Sequence, residues 1–225
     1  MSKKISIAID GPAGAGKTTV ARGVANKLGY KYIDTGAMYR AVAWKSIQLD
    51  IPLEDADSIV DMTERMNIDF AEGDGSIIFV DGIDVSKAIR TPEVTRLSSP
   101  VSAISGVRRQ LVAQQRKLAG NGGIVMEGRD IGSVVLPNAE LKIFLTASIA
   151  ERAKRRYEEV KLAGMDADLS RIENDIAERD HRDSNRSDSP LVKANGAVEI
   201  DTDPLSPDEV IDVIVGLCRD RISDC

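Results

Sequence analysis

The chain is poor in the residues that would direct it to several common chemistries. Its two cysteines, Cys218 and Cys225, lie near the C-terminus without metal-ligand spacing, and its single histidine is His181. A disulfide framework and a zinc site are therefore unsupported, and a reducing compartment fits. No apolar run reaches the ~20 residues that a membrane-spanning helix needs. The start MSKKISIAIDG opens like a signal peptide, but Asp10 cuts its apolar run short. Positive charge is in deficit as well: the net charge is −6 over 225 residues, which argues against a nucleic-acid binder held by phosphate contacts. An Asn/Thr-Lys-x-Asp stretch, which reads the base in GTPases, is missing. The chain is also short for a motor or large ATPase, which needs a hydrophobic strand ending in an acid. These absences point to a soluble, cytoplasmic protein with no membrane or nucleic-acid partner. With no exposed apolar stripe evident, a monomer is expected.

Apolar residues make up 42% of the chain, enough for one domain with a real core. Short β-branched runs alternate with helical patterns. Ile5–Ile9, Lys31–Asp34, Ile124–Met126, Leu141–Leu145 and Val198–Ile200 read as strands. TTVARGVANKLG and AMYRAVAWKSIQL read as helices, and Ser206-Pro207 supplies an N-cap and first residue for a helix over Asp208–Arg221. This alternation predicts an α/β fold with a five-stranded parallel sheet covered on both faces. One stretch breaks the rhythm. In residues 62–98, NIDFAE, SIIFV and IDV are separated by EGDG and DG, turn signals that predict a small antiparallel insertion.

Residues 11–18, GPAGAGKT, fit G-x-x-x-x-G-K-[ST] between a strand and a helix, the context this phosphate-binding loop requires. Glycines let main-chain N–H groups turn inward, and the helix N-terminus adds partial positive charge. Lys17 is placed to reach β- and γ-phosphates, and the Thr18 hydroxyl to complete a Mg²⁺ shell. Small size, the insert and clustered arginines then favour a kinase of small metabolites.

A hydroxyl acceptor needs a carboxylate to take its proton, whereas a phosphate acceptor needs cations to hold two repelling anions together. Arg40 follows the second strand in IDTGAMYRA, and Arg129 and Asp130 follow the third in EGRDIG. Ligands of open α/β sheets gather at the carboxyl ends of strands, so these loops should face each other across the P-loop. Arg179, Asp183 and Arg186 in ERDHRDSNR fall at i, i+4 and i+7, one face of a helix expected to end before Pro190. Arg152, Arg155 and Arg156 form a second basic helical face before Gly164. A solvated salt bridge is the ordinary role of any one of these. Together, beside a P-loop, they favour a phosphate acceptor.

The set GPAGAGKTT, DTGAMYRA, EGRDIG and ERDHRDSNR closely resembles the bacterial-type cytidylate kinases, P-loop nucleoside monophosphate kinases that phosphorylate CMP and dCMP. The likeness runs over essentially the whole chain. It implies a core of about 1–61 and 99–225, a monophosphate-binding insert of about 62–98 and a lid of about 152–168. It implies that Gly11, Pro12, Ala13, Gly14, Ala15, Gly16, Lys17, Thr18 and Thr19 bind ATP, with Arg155 and Arg156 contributed by the lid. Arg40, Arg129 and Arg186 would hold the CMP phosphate and the transferring group, with Lys17. Ser99, Arg108 and Asp130 would read the cytosine, and Thr35, Tyr39, Arg179 and Asp183 would complete the CMP site. A carboxylate accepting from cytosine's amine and a guanidinium donating to N3 and O2 suit that base, and uracil would leave them unpaired. Mg²⁺ is the implied cofactor, bound at Thr18 through ATP phosphates and water.

Three rivals stand beside this resemblance: a shikimate-type hydroxyl kinase, a kinase for AMP or UMP, and an ATP-sensing regulator that transfers nothing. The first wants a second carboxylate just after Asp34, where the sequence has Gly36. Trp44 and Met38 read as core residues and His181 as a surface one. Asp10 and Asp34 are open between loop hydrogen bonding and contact with Lys17, the P-loop or metal-bound water.

Overall fold

The structure, a computed structural model, describes residues 4–71, 77–162, 164–186 and 188–223. Strand β1 (Ser6–Asp10) leads through the Gly-rich loop into α1 (Lys17–Leu28), and β2 (Lys31–Asp34) runs directly into α2 (Thr35–Gln48). Helix α3 (Ala56–Arg65) precedes three short strands, β3 (Ile68–Phe70), β4 (Ile78–Val80) and β5 (Ile83–Asp84). A 3-10 turn at Ala88–Arg90 leads to α4 (Pro92–Ala103) and α5 (Ser105–Ala119). The chain continues through β6 (Ile124–Gly128), a π-helical turn at Ile131–Val135, β7 (Leu141–Thr146), α6 (Ile149–Leu162) and α7 (Leu169–Ser184). It closes with β8 (Val198–Asp201) and α8 (Pro207–Ser223).

Five strands form the parallel sheet that the alternation predicts, in the order β2-β6-β1-β7-β8. Being covered on both faces, its strands carry apolar side chains in both directions. Ile7 and Ile9 pack with α1 and α8 on one side, while Ala8, Ile33 and Met126 pack with α2 and α5 on the other. Register aligns Asp10 with Gly128 and Asp34 with Glu127, so β1, β2 and β6 end at one level. The loops that follow them share that carboxyl edge.

Local chemistry sets the element ends. Asp34 caps α2 by accepting from the Ala37 N–H at 3.0 Å, so the helix starts two residues before the span read from its pattern. Ser206 and Glu209 cap α8 reciprocally, the Ser206 N–H donating to Glu209 and the Glu209 N–H to Ser206.

The irregular stretch forms the second sheet, antiparallel in the order β3-β4-β5. Asp81 and Gly82, at φ 51° and 81°, make the two-residue turn between β4 and β5. Ile68, Phe70, Ile78 and Val80 are buried in the same core as Met38 and Val42 of α2. The bounds expected for the insert, about 62–98, fall inside α3 and α4. The EGDG turn at 72–75 and Cys225 lie outside the described residues.

One expected helix is shorter than the heptad spacing implied. Helix α7 ends at Ser184, where the Asn185 side chain binds back to the His181 carbonyl, so Arg186 is not on its face. Asn competes for main-chain groups and favours such an end over continued helix. His181 and Trp44 take the ordinary roles expected, exposed on α7 and packed against the core. Among the described residues no helix is long and apolar enough to cross a membrane.

Candidate active site

The Gly-rich loop is pressed against the end of β7. A Cβ on Gly11, at φ 149°, would stand 2.2 Å from the Leu145 carbonyl oxygen, so only glycine fits there. The loop ends at Lys17, the first residue of α1, which is buried and donates from Nζ to the Pro12 carbonyl at 2.6 Å. Burial, and then the charge of Arg129, push the Lys17 ammonium down to about 7. A cation held this way gains more from an arriving anion than a solvated one does.

The loop opens on a cavity of about 900 Å³ at the carboxyl edge of the sheet. Each arginine expected at the acceptor lines it, although Arg186 reaches it from beyond α7 and is held by the Ser189 carbonyl at 2.9 Å. Arg40 pairs with Asp34 at 2.8 Å, and Arg129 pairs through Nε with Asp183 at 2.9 Å. Burial works against the Asp183 charge, yet Arg129 beside it, with Arg179 and Arg186, holds it below the usual carboxylate range. The Arg179 guanidinium is pushed down to about 10 by burial and by Arg129, and Arg186 is pushed down by burial and by Arg108.

The decisive feature is what these pairs leave over. The Nε–H groups of Arg40, Arg108, Arg179 and Arg186 are all buried without an acceptor among the described residues. Buried polar groups are ordinarily satisfied, and the four arginines that carry these spare donors all line one cavity, which suits an anionic ligand.

The deeper wall is different in character. Arg108 and Asp130 form a buried ion pair, and Tyr39 lies under the Arg108 guanidinium at 5.8 Å. Burial first, with Asp130 adding to it, pushes the Tyr39 phenol up to about 12 against the pull of Arg108, so it is a hydroxyl at neutral pH. Helix α4 brings serines to this wall. Ser99 lines the cavity and receives Arg182 at 3.5 Å, while Ser98 lines it with its hydroxyl donating to the Thr95 carbonyl at 2.8 Å. Thr35 also lines the cavity, donating to the Glu127 carbonyl at 2.6 Å.

On the opposite side, Ala13, Gly14, Ala15, Gly16, Lys17, Thr18 and Thr19 line the cavity, as do Arg155 and Arg156. Gly11 and Pro12 do not: they shape the loop from behind. Arg155 donates to Thr202 and to Glu151, and exposed Arg156 pairs with Glu159. Asp10 is a structural acid, accepting from the Ile131 and Gly132 N–H groups at 2.7 Å each, and does not bond Lys17. Asp34 spends one oxygen on the α2 cap and the other on Arg40.

The family model for cytidylate kinase matches residues 7–220. The chain belongs to the cytidylate kinase family. A cytidylate kinase of Ligilactobacillus salivarius is 50% identical over 222 residues, covering 98% of this chain and 99% of its own. One of Desulfitobacterium hafniense is 48% identical over 222 residues, covering 99% and 96%. Among solved structures, a gluconokinase from Sinorhizobium meliloti 1021 superposes with a TM-score of 0.53 at 14% identity, covering 100% of this chain and 97% of its own. That likeness is one of fold.

Two residues of this cytidylate kinase escaped the sequence reading. Glu127, the penultimate residue of β6, is buried and receives the Tyr32 hydroxyl at 2.5 Å. Burial and the charge of Asp34 raise its pKa, against the pull of Lys17. The run IVME, a hydrophobic strand followed by an acid, is the signal that the sequence carries for it. Arg152 was counted in the basic helix but passed over for Arg155 and Arg156, and it is the one that touches the P-loop.

Burial pushes the Asp10 carboxyl up to about 6, from 3.8, against its two main-chain donors. The folded state then binds a proton that the unfolded state releases, so stability from Asp10 falls as pH rises from about 4 through about 6. We expect the unfolding free energy of the wild type minus that of Asp10→Asn to drop by about 3 kcal/mol over that range in urea titrations. A difference that stays flat or grows would contradict this.

Proposed function

We propose that this cytidylate kinase family member transfers the γ-phosphate of ATP to CMP or dCMP, yielding ADP and CDP or dCDP. The observation that carries the reading is the convergence of Arg40, Arg129, Arg179 and Arg186 on the cavity that the P-loop also lines. Such a site is built to hold two anions that repel each other. Asp34, committed to a helix cap and an arginine, is not available as a base, and a phosphate acceptor needs none.

In this reading the loop from Gly11 to Thr19, with Lys17, holds the ATP phosphates, and Arg155 and Arg156 add charge from the lid. Arg40, Arg129 and Arg186 hold the CMP phosphate in line and take up negative charge as the phosphoryl group passes between oxygens. Asp130 accepts from the cytosine amine while Arg108 donates to N3 and O2, and Ser99 adds a hydroxyl. Thr35, Tyr39, Arg179 and Asp183 complete the acceptor side. The insert of about 62–98 and the lid of about 152–168 close on the pair of nucleotides and keep water from the transfer.

Mg²⁺ is the cofactor of this reading. Among the described residues no group of three His, Cys, Asp or Glu could cage a metal, which suits an ion that keeps waters and enters on nucleotide phosphates. Thr18 and Glu127 are hard oxygen donors beside the P-loop, and both line the cavity. An ion held there would offset the charge of the ATP phosphates.

ADP release with ATP and Mg²⁺ against CMP, dCMP, UMP, AMP and shikimate tests the reading. Turnover is expected mainly with CMP and dCMP. Shikimate turnover, or none with any acceptor, would overturn it, and a preference for UMP would overturn the base-reading roles alone.

A further inference from the structure

Arg152, near the start of α6, is almost fully buried and its whole guanidinium is engaged. Nε donates to the Ala147 carbonyl at 3.0 Å. Nη1 donates to the Ala13 carbonyl at 3.1 Å and to Asp180 Oδ1 at 3.0 Å, and Nη2 donates to Asp180 Oδ2 at 2.6 Å. Three separate segments thus meet on one side chain: the exit of β7, the crest of the P-loop, and α7.

The contact with Ala13 has a geometric consequence. In a planar trans peptide the carbonyl and the following N–H point in opposite directions, and among the described residues no peptide bond is cis. Holding the Ala13 carbonyl toward Arg152 therefore turns the Gly14 N–H away from that side chain. Gly14 lines the cavity, and a Cβ built on it at φ 78° would stand 3.1 Å from the Arg152 Cβ. Arg152 lines the same cavity beside Gly14, so the peptide it holds borders the space open to a nucleotide.

We propose that Arg152 is a positioning residue for ATP. It fixes the Ala13–Gly14 peptide with the Gly14 N–H turned toward the phosphates, and its fork on Asp180 ties that orientation to α7. Helix α7 also carries Arg179 and Asp183, so the loop that holds the donor and the helix that meets the acceptor share a rigid strut. A lysine could not replace it, because a point charge cannot serve two carbonyls and both carboxylate oxygens at once. The inference rests on the reading that ATP phosphates occupy the P-loop.

Calorimetric binding of ATP and of CMP to Arg152→Met, Asp180→Asn and the double variant Arg152→Met/Asp180→Asn tests it, with thermal unfolding to verify folding. Arg152→Met should weaken ATP by about tenfold or more, the scale of one lost charge-assisted hydrogen bond, with CMP within about twofold. Asp180→Asn keeps an acceptor for Arg152 and should cost ATP binding less than Arg152→Met does. The double variant leaves no unpaired carboxylate, so it remains a fair test where Arg152→Met alone is unstable, and its ATP loss should match the single variant. ATP affinity within about twofold of wild type in either folded Arg152 variant would overturn the proposal, as would equal losses for ATP and CMP. Failure of the wild type to phosphorylate CMP would sink the functional reading instead, and the ATP titrations would still decide the role of Arg152.

Discussion

Lys17→Ala is expected to lower kcat by about 10²–10³-fold, the cost of removing one preorganised charge from developing phosphoryl oxygens. The variant should fold at least as well as the wild type. In the ligand-free protein the ammonium is buried, bonded to the Pro12 carbonyl and crowded by Arg129 and Arg179. Its removal relieves a desolvated charge and leaves no buried anion orphaned by direct contact. CMP affinity should change little, because the acceptor arginines sit on other elements. ADP-release kinetics, CMP calorimetry and thermal unfolding together check these three expectations. A fall in kcat of less than about tenfold would place Lys17 away from the reacting phosphates.

Arg186→Met is expected to cut kcat/KM for CMP by about 10²-fold or more while raising stability. The two signs share one cause. Burial, with Arg108 close by, already depresses the Arg186 guanidinium, and its Nε–H has no acceptor among the described residues. Asp183 and Asp130 offset part of that cost and a bound phosphate would offset the rest, and a methionine of similar length removes it. Steady-state kinetics against CMP at saturating ATP, with urea unfolding of both proteins, measures both. Catalysis within about threefold of wild type would mean that this arginine does not reach the acceptor phosphate.

Much of this molecule was legible because it obeys local rules. The P-loop has its strand, its glycines and its helix in sequence, and IDTGAMYRA and EGRDIG each follow a strand, so the sheet's polarity brought Arg40, Arg129 and Asp130 to one edge. What was illegible depended on partners far along the chain. Arg152 resembles Arg155 and Arg156 in any helical projection. Only the folded chain reveals that it points at Ala13, 139 residues away, while Arg156 pairs with its neighbour Glu159. Arg186 lay on the expected face by spacing, but Asn185 ended the helix first. It still lines the cavity, held by Ser189 instead of by helical geometry. Asp10 and Asp34 could not be resolved between ligand contact and structure, since a carboxylate at a strand end serves either, and their main-chain donors decided it.

The sheet separates two cores, and that division has a bearing on how such a chain can change. One face packs α1 and α8, which carry the P-loop's exit and the Leu205–Val210 edge of the cavity. The other packs α2, α4, α5 and the small antiparallel sheet, which carry Tyr39, Ser99 and Arg108. Substitutions that repack one core are insulated by the strands from the other. The wall that carries Tyr39, Ser99 and Arg108 can therefore be repacked without repacking the core behind the P-loop, whereas α7 stays tied to that loop through Arg152 and Asp180.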